Sequence, residues 1–245
     1  MVLLSTPKKT IIGSRDNGEP LERKKTMDQD FSLMRGTNET GVSHEFDQPG
    51  QGGHIFLGPG LGYVDSTDLQ RVVSFHGYLS SGAFIGMQVL ALARRLLNIQ
   101  RRDRIHVVCE TANCLPDPFQ VLAGCTIGNH GLIIRDTGKM AATITRHTPP
   151  GEMAPGVRIV LDIKKVERFE KLYAWYMNLE KVPHEEVIEI LRVAGEAVYS
   201  YDYVNVPVEA RQKKRIVICS RCGEVFIRTS KTQALCMDCE QNTDT

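Results

Sequence analysis

The segment that most strongly determines the fold reads AFIGMQVLALARRLLN, from Ala83 to Asn98. In a helix its apolar side chains would occupy nearly every side, so we expect this helix to be buried. Gln88 and the pair Arg94 and Arg95 interrupt the apolar run, which is too short for a membrane span of about 20 residues. Small residues in and just before the segment leave room for another backbone to lie close: Gly82, Ala83, Gly86 and Ala91.

Shorter elements flank this helix on both sides. Asp65 or Ser66 can cap a preceding helix, and Asp117 with Pro118 has the residue types of a helix start. The remaining elements follow from apolar periodicity and from β-branched residues. They are the helices Thr67–Phe75, Val166–Met177 and His184–Val198 and the strands Ile105–Glu110, Leu132–Arg135, Ala141–Arg146 and Val157–Ile163.

The order of the central elements predicts the fold class. Asp136-Thr137-Gly138-Lys139 has the composition of a hairpin turn between two of the strands. Helix, strand, helix and three strands follow one another in the chain. This order predicts an α+β domain with a mixed sheet, one face of which is covered by the buried helix.

Composition and charge limit the class of protein. The 245 residues are 42% hydrophobic and 24% charged, which allows one mid-sized domain and a small appendage. The net charge of +1 excludes a polybasic protein as a whole. No apolar run is long enough to span a membrane and the first residues lack a signal-peptide core, so we expect a cytoplasmic protein without membrane association.

Three regions can be distinguished along the chain. Residues 1–53 alternate charges without apolar periodicity and have too little apolar surface to offset the entropy of ordering. We expect them to form a tail that is disordered or lies along a partner. Residues 54–208 contain the α+β core domain, and residues 209–245 contain a cysteine module.

The cysteine module has two Cys-x-x-Cys pairs separated by thirteen residues. Each pair can bring two thiolates to one tetrahedral ion, and Gly223 provides the left-handed backbone that such a turn often needs. A redox dithiol would need one pair rather than two. All four positions would be filled by protein, so the pattern predicts a structural four-cysteine zinc ribbon with the ligands Cys219, Cys222, Cys236 and Cys239.

The cysteine module is also locally basic. Zinc ribbons often bind nucleic acid, but a solvated surface or a contact with a partner protein is the favoured interpretation of these charges. The basic residues are Arg211, Lys213, Lys214, Arg215, Arg221, Arg228 and Lys231.

Three fragments of the core carry a resemblance to a known family. They are HGYLSSG at His76–Gly82, ETANC at Glu110–Cys114, and QVLAGCTIG at Gln120–Gly128 with RDTGK at Arg135–Lys139 shortly after. In this order, followed by a cysteine ribbon, they resemble the E-subunit (FmdE) family of formylmethanofuran dehydrogenase. The resemblance implies an α+β core, an intertwined homodimer, and association with a molybdenum- or tungsten-linked oxidoreductase system.

The first motif of that family usually runs His-Gly-His-x-Cys-Pro-Gly, and this chain departs from it. His76 matches the first histidine, whereas Tyr78 and Ser80 replace the second histidine and the cysteine. In relatives these positions, with the cysteine that Cys114 matches, resemble a metal site in a cleft. A phenol and a hydroxyl bind soft or borderline metals far less well than imidazole and thiolate. We therefore expect a cleft whose second metal site is weakened.

Alternatives remain for the single residues of this cleft. The imidazole of His76 could be a ligand, an acid–base group or a capping donor. Cys114 could be a thiol activated by a helix amino end or a small side chain in a packed turn. Lys139 could attract an anionic ligand or be an ordinary exposed turn lysine.

Three hypotheses about function follow. The first is an FmdE-like metal-binding accessory protein with a ligand cleft around His76 and Cys114. The second is a zinc-ribbon binding or regulatory module whose core metal site has degenerated at Tyr78 and Ser80. The third is a stand-alone enzyme that acts on a small molecule. The altered motif favours the second hypothesis over the third.

Overall fold

The computed structural model describes residues 53–208 and 214–242. The predicted tail lies outside the described residues except for Gly53, and so do residues 209–213 of the connector before the cysteine module. No helix among the described residues is both long and apolar enough to cross a membrane.

The described chain begins with a hairpin that the sequence pattern did not predict. Its strands are β1 (His54–Gly58) and β2 (Gly62–Asp65), which pair antiparallel. The hairpin ends in the predicted cap, because the carboxylate of Asp65 accepts a hydrogen bond of 2.8 Å from the backbone N–H of Thr67. Gly58 is required by close packing, since a Cβ there would lie 2.6 Å from the Cα of Gly195.

Two helices follow the hairpin. Helix α1 (Ser66–His76) ends at Gly77, whose φ of 99° lies in the left-handed region that favours glycine. Helix α2 (Ser81–Leu96) is the predicted buried helix, and every residue of its first ten is buried. The backbone N–H groups at its start are capped by Ser80, whose hydroxyl accepts from Ala83 at 3.1 Å.

A mixed five-stranded sheet forms the centre of the core domain. Its strands lie in the order β4-β3-β5-β6-β7, with β3 and β4 parallel and the other neighbours antiparallel. This arrangement confirms the predicted α+β class and the mixed sheet. The strands are β3 (Ile105–Cys109), β4 (Leu132–Ile134), β5 (Ala141–Arg146), β6 (Met153–Leu161) and β7 (Tyr199–Pro207).

The predicted hairpin around residues 136–139 is wrong. Strands β4 and β5 do not pair with each other, because β3 lies between them and pairs with both. The short helix α3 (Asp117–Ala123) supplies the crossover that two parallel strands need between β3 and β4. Residues 136–139 therefore lie in the connection from β4 to β5, which passes the end of β3, and they do not form a hairpin turn.

Three helices and a 3-10 turn lie between β6 and β7. They are α4 (Ile163–Val166), α5 (Glu170–Tyr176), α6 (His184–Ala194) and the 3-10 turn Gly195–Val198. The strand predicted to reach Ile163 ends at Leu161, because the carboxylate of Asp162 caps α4 by accepting from the N–H of Lys164 at 3.0 Å. The nine-residue strand β7, which was not predicted, then closes the sheet at one edge.

The small residues of α2 allow another segment of the same chain to pack closely against this helix. A Cβ on Gly86 would lie 2.6 Å from the carbonyl oxygen of Leu115, and one on Gly82 would lie 3.0 Å from the Cβ of Cys114. The backbone that approaches α2 is therefore the segment leading into α3. The predicted closeness of another backbone is confirmed, and that backbone belongs to the same chain.

Gln88 is the single amide in the buried half of α2, and its hydrogen bonds join three other elements to this helix. It is completely buried. Its amide nitrogen donates to the carbonyl oxygens of Leu57 at 2.6 Å and Leu191 at 2.9 Å. Its amide oxygen accepts from the hydroxyl of Tyr199 at 2.6 Å. The side chain thus connects β1, α6 and β7 through polar bonds in an otherwise apolar interior.

The cysteine module contains a two-stranded hairpin and one short helix. Strands β8 (Arg215–Ile218) and β9 (Val225–Arg228) pair antiparallel, as expected for the segment between the cysteine pairs. Helix α7 (Met237–Gln241) begins directly after Cys236. The predicted α+β core with an added four-cysteine module is thus the observed architecture.

The replacement Gln88→Leu tests the polar connection. It keeps the approximate volume of the side chain but removes the partner of the Leu57 carbonyl oxygen and of the Tyr199 hydroxyl, whereas the Leu191 oxygen still accepts from the N–H of Gly195. An unsatisfied buried group costs about 1–3 kcal/mol, so the two groups together should lower the free energy of unfolding by about 2 kcal/mol or more. Urea denaturation would measure this, with Gln70→Leu on the exposed side of α1 as the matched control. Equal stability of the two variants would contradict the role assigned to Gln88.

Candidate functional site

The end of α1 places His76 beside the start of α3. The Nδ1 of His76 lies 2.6 Å from the Oδ2 of Asp117, and the two side chains are 13% and 21% exposed. Asp117 was predicted as the cap of α3, but Pro116 occupies the cap position and no side chain caps that helix. The carboxylate of Asp117 forms a hydrogen bond with His76 instead.

Tyr78 stands between two histidines. Its ring centre lies 5.0 Å from that of His76 and 5.5 Å from that of His184, which is the first residue of α6. The phenol is 53% exposed, so it forms an accessible aromatic surface between the two imidazoles. The sequence offered no spacing that would have singled out His184, because α6 begins about one hundred residues after Tyr78.

The two serines before α2 have different roles. Ser80, at the position of the family's cysteine, is buried and caps α2. Ser81 contacts His184 twice: its backbone N–H donates to the Nδ1 at 3.2 Å, and its hydroxyl lies 2.9 Å from the same nitrogen. Ser80 therefore caps α2, and Ser81 fixes the position of His184.

Cys114 lies against the first turn of α2 and is half-buried. Its Sγ is 3.7 Å from the position that a Cβ on Gly82 would take. His76 and Cys114 both flank the amino end of α2, one through the loop before the helix and the other through packing on Gly82. Both alternatives for the thiol, activation by a helix amino end and a small side chain in a packed turn, remain predictions.

Lys139 lies beside Glu110, the residue that follows β3. Its backbone N–H donates to the carbonyl oxygen of Glu110, and its side chain is exposed. The carboxylate of Glu110 accepts from Arg158 at 2.6 and 2.9 Å, and this ion pair is the main reason why the pKa of Glu110 is lowered. Among the described residues no hydrogen bond or ion pair joins Lys139 to His76.

The four module cysteines converge as their spacing predicted. Their sulfur atoms all lie within 4.8 Å of one another, and the sulfurs of Cys222 and Cys236 are 3.9 Å apart. Gly223, with a φ of 75°, turns the chain so that its N–H donates to the carbonyl oxygen of Cys219. The backbone N–H groups of Cys222 and Cys236 lower the pKa of Cys219 to about 6, whereas burial and the neighbouring thiols raise the pKa of Cys239, so Cys219 is the cysteine most readily present as a thiolate.

The candidate residues of the core do not form a comparable cluster. Within residues 53–208 and 214–242, the module cysteines are the one group of three or more His, Cys, Asp or Glu side chains whose ligand atoms gather within 4.8 Å. His76, Asp117, Cys114 and His184 thus supply pairs of neighbouring groups and no set of three. The four cysteines can hold a metal ion, whereas His76, Asp117 and His184 are held by hydrogen bonds.

One face of the module hairpin is apolar and exposed. The strand register places four β-branched side chains on that face, each between 51% and 67% exposed: Ile216, Ile218, Val225 and Ile227. At the hairpin end, Arg215 and Arg228 lie opposite each other. Arg221 is not free for a ligand, because its guanidinium donates to the carbonyl oxygens of Cys239 and Asn242.

A separate concave surface lies between α1 and α3. It is a shallow groove of about 740 Å³ that none of the predicted site residues lines. Its walls are formed by Thr67, Gln70, Arg71, Ser74, Phe75, Gln120, Val121 and Thr126.

Comparisons with known proteins agree with this fold and with the motifs. The family model described as FmdE, Molybdenum formylmethanofuran dehydrogenase operon, matches residues 75–206. A solved structure, that of a tungsten formylmethanofuran dehydrogenase FmdE-like protein from Syntrophus aciditrophicus, is 27% identical. It superimposes with a TM-score of 0.61 over 74% of this chain and 95% of its own.

A curated relative differs in length. It is called a probable S-adenosyl-L-methionine-binding protein, comes from Archaeoglobus fulgidus, and is 26% identical over 193 residues. The match covers 70% of this chain and 52% of the relative, so the chain spans about half the length of that protein.

Proposed function

Because the chain belongs to the FmdE family, we propose that it is an FmdE-like metal-binding accessory protein of a molybdenum- or tungsten-linked oxidoreductase system. The observation that supports metal binding is that the sulfur atoms of the four module cysteines lie within 4.8 Å of one another. The family description and the name of the Syntrophus aciditrophicus protein support the oxidoreductase link.

Zinc is the metal that fits the cysteine module best. Tetrahedral zinc with Zn–S distances of about 2.3 Å needs sulfur atoms about 3.8 Å apart, and Cys222 and Cys236 are separated by 3.9 Å. Four thiolates fill the coordination sphere, so the ion is structural. The module has little apolar core, and metal binding therefore supplies most of its folding free energy.

The exposed apolar face of the module favours a protein partner over nucleic acid. Nucleic acid is bound through phosphate contacts and stacked bases, which four aliphatic side chains do not provide. An apolar patch rimmed by charged residues is typical of a protein interaction site. We propose that Ile216, Ile218, Val225 and Ile227 contact the oxidoreductase partner.

The core cleft around His76 and Cys114 is the proposed ligand site of the protein. The observations that support it are the Asp117–His76 pair and the exposed ring of Tyr78 beside two imidazoles. The second candidate function, S-adenosyl-L-methionine binding, comes from the Archaeoglobus fulgidus relative. The accessible ring of Tyr78 favours it, because an aromatic side chain can stack on an adenine base.

A homodimer is also proposed, with β7 as the contact. Strand β7 is a sheet edge, and unpaired edge strands of this length readily pair with a second chain. Exposed apolar side chains lie on or beside it: Met153, Tyr201 and Tyr203.

The first test concerns the metal. The purified protein should contain about one zinc per chain, and Cys222→Ser should lose it because three thiolates leave the tetrahedral site incomplete. Metal analysis by mass spectrometry reads this directly, with Cys125→Ser in the core as the control. Full retention of zinc by Cys222→Ser would refute the zinc site.

The second test concerns the oxidoreductase partner. An affinity-tagged chain purified from its source organism should carry molybdenum or tungsten with it through the partner enzyme. The double variant Ile216→Asp with Ile218→Asp should lose this metal, because two charges on the apolar face oppose its burial. Val193→Asp, at an equally exposed position on α6, is the control. Equal metal recovery with all three proteins, or none with any, would contradict the proposal.

The third test concerns the dimer. Light scattering on the purified chain should give close to twice the monomer mass of 27.4 kDa. Tyr203→Lys should lower that mass towards the monomer, whereas Tyr63→Lys should not, although both tyrosines are 66% exposed. A monomeric mass for the unaltered chain at micromolar concentration would rule the dimer out.

A further inference from the structure

Three arginine side chains lie around one buried carboxylate on α1. Asp68 is only 3% exposed, and its Oδ1 accepts from the Nη1 of Arg71 at 3.2 Å and from the Nη2 of Arg101 at 2.6 Å. Arg94, in the last turn of α2, interacts electrostatically with both Asp68 and Arg101. One negative charge therefore faces three positive charges, and the excess is two.

Arg94 has no carboxylate partner of its own. Its Nη2 donates to the carbonyl oxygen of Leu122 at 3.0 Å, whereas its Nε is buried without a hydrogen-bond partner. Burial, and then the charge of Arg101, lowers the pKa of the Arg94 guanidinium. Asp65 also attracts Arg101, but its carboxylate is hydrogen-bonded to Thr67 and joins no ion pair among the described residues. Because buried charges are stable only when they are paired, the excess positive charge calls for an anion.

The groove between α1 and α3 gives an anion access to these charges. Arg71 lines the groove, and its Nη2 donates to the carbonyl oxygen of Val121, another lining residue, at 2.7 Å. The guanidinium therefore extends from Asp68 to the α3 wall. None of the described residues that line the groove is acidic. The positive charge is thus not neutralised on the groove side.

Other side chains of the groove can bind a ligand as well. In the part of the chain that the structure describes, no hydrogen bond uses the side chains of Gln70, Ser74 or Gln120. An amide or a hydroxyl can donate to a ligand oxygen. Phe75, one helical turn after Arg71, adds an aromatic ring that is 55% exposed. The groove thus offers a positive charge, uncharged donors and an apolar surface.

We propose that the groove between α1 and α3 binds a small organic phosphate, with the phosphate beside Arg71 and the organic group on the ring of Phe75. A phosphate monoester carries a charge of about −1.5 to −2 at pH 7, which matches the positive excess, whereas a carboxylate would balance only half of it. Gln70, Ser74 and Gln120 donate to the phosphate oxygens. The groove volume of about 740 Å³ lies within the range of small-molecule sites.

The test uses the zinc-loaded full-length protein and phenyl phosphate as the probe. Two-dimensional proton–nitrogen NMR follows the backbone amides, and we expect the signals of residues 67–75 and 120–126 to shift on titration. Phenol, which lacks the charge, should leave these signals unchanged. Inorganic phosphate should bind about fivefold more weakly than phenyl phosphate, because it lacks the ring that packs on Phe75.

Two variants with matched controls separate binding from folding. Gln120→Glu keeps the shape of the side chain and places a negative charge in the groove, so phenyl phosphate should bind about tenfold more weakly or less. Gln241→Glu makes the same change on α7 and should leave the affinity within about twofold. Arg71→Met should also lose about tenfold, because a charge-assisted hydrogen bond is removed, whereas Arg168→Met, at an exposed position after α4, should not. Matching backbone amide spectra would show that each variant is folded.

Each contrary result decides against the proposal. It is overturned if phenyl phosphate at millimolar concentration shifts no signal of the groove, or if Gln120→Glu binds it as well as the unaltered protein does. Equal shifts with phenol would make the groove an apolar site, and equal affinity for inorganic phosphate would overturn the assignment to an organic phosphate. The groove shares no residue with the cysteine module or with the cleft around His76, so the tests of the proposed function stand apart from these results.

Discussion

The hydrogen bonds of Gln88 constrain the positions of three elements around the buried helix. A glutamine in an apolar interior is stable only when its amide is fully paired, because an unsatisfied polar group there costs more than a hydrogen bond returns. Leu57, Leu191 and Tyr199 satisfy it, and they belong to three different elements. The apolar packing of α2 is non-directional, whereas these three bonds require one relative placement of β1, α6 and β7.

The same placement assembles the candidate site. Holding α6 against α2 brings the first residue of α6, His184, to Ser81 at the start of α2. The close approach at Gly86 brings the segment before α3 onto α2 and sets Asp117 beside His76. Residues that are 41 and 103 positions apart in the chain are therefore neighbours. The amino end of α2 is the point where their elements meet.

The cysteine module follows a different principle. Its ligands are close in sequence, so two local turns and one hairpin are enough to bring four sulfur atoms together. A metal held by these four thiolates would take the place of an apolar core, and the aliphatic face of the hairpin is exposed. The core site is thus assembled by hydrogen bonds between distant elements, whereas the module is assembled locally and exposes an apolar surface.

The sequence by itself determined the features that depend on local pattern. The burial of the first ten residues of α2, a helix cap at Asp65 or Ser66, the mixed α+β class, the family and the cysteine cluster could all be predicted, because periodicity and spacing act over a few residues. The tertiary structure decided the pairing of β3 with β4 and β5, the roles of Asp117 and His184, and the three partners of Gln88. These features depend on contacts between distant segments. Such contacts form only when the whole core packs, so no local pattern in the chain records them.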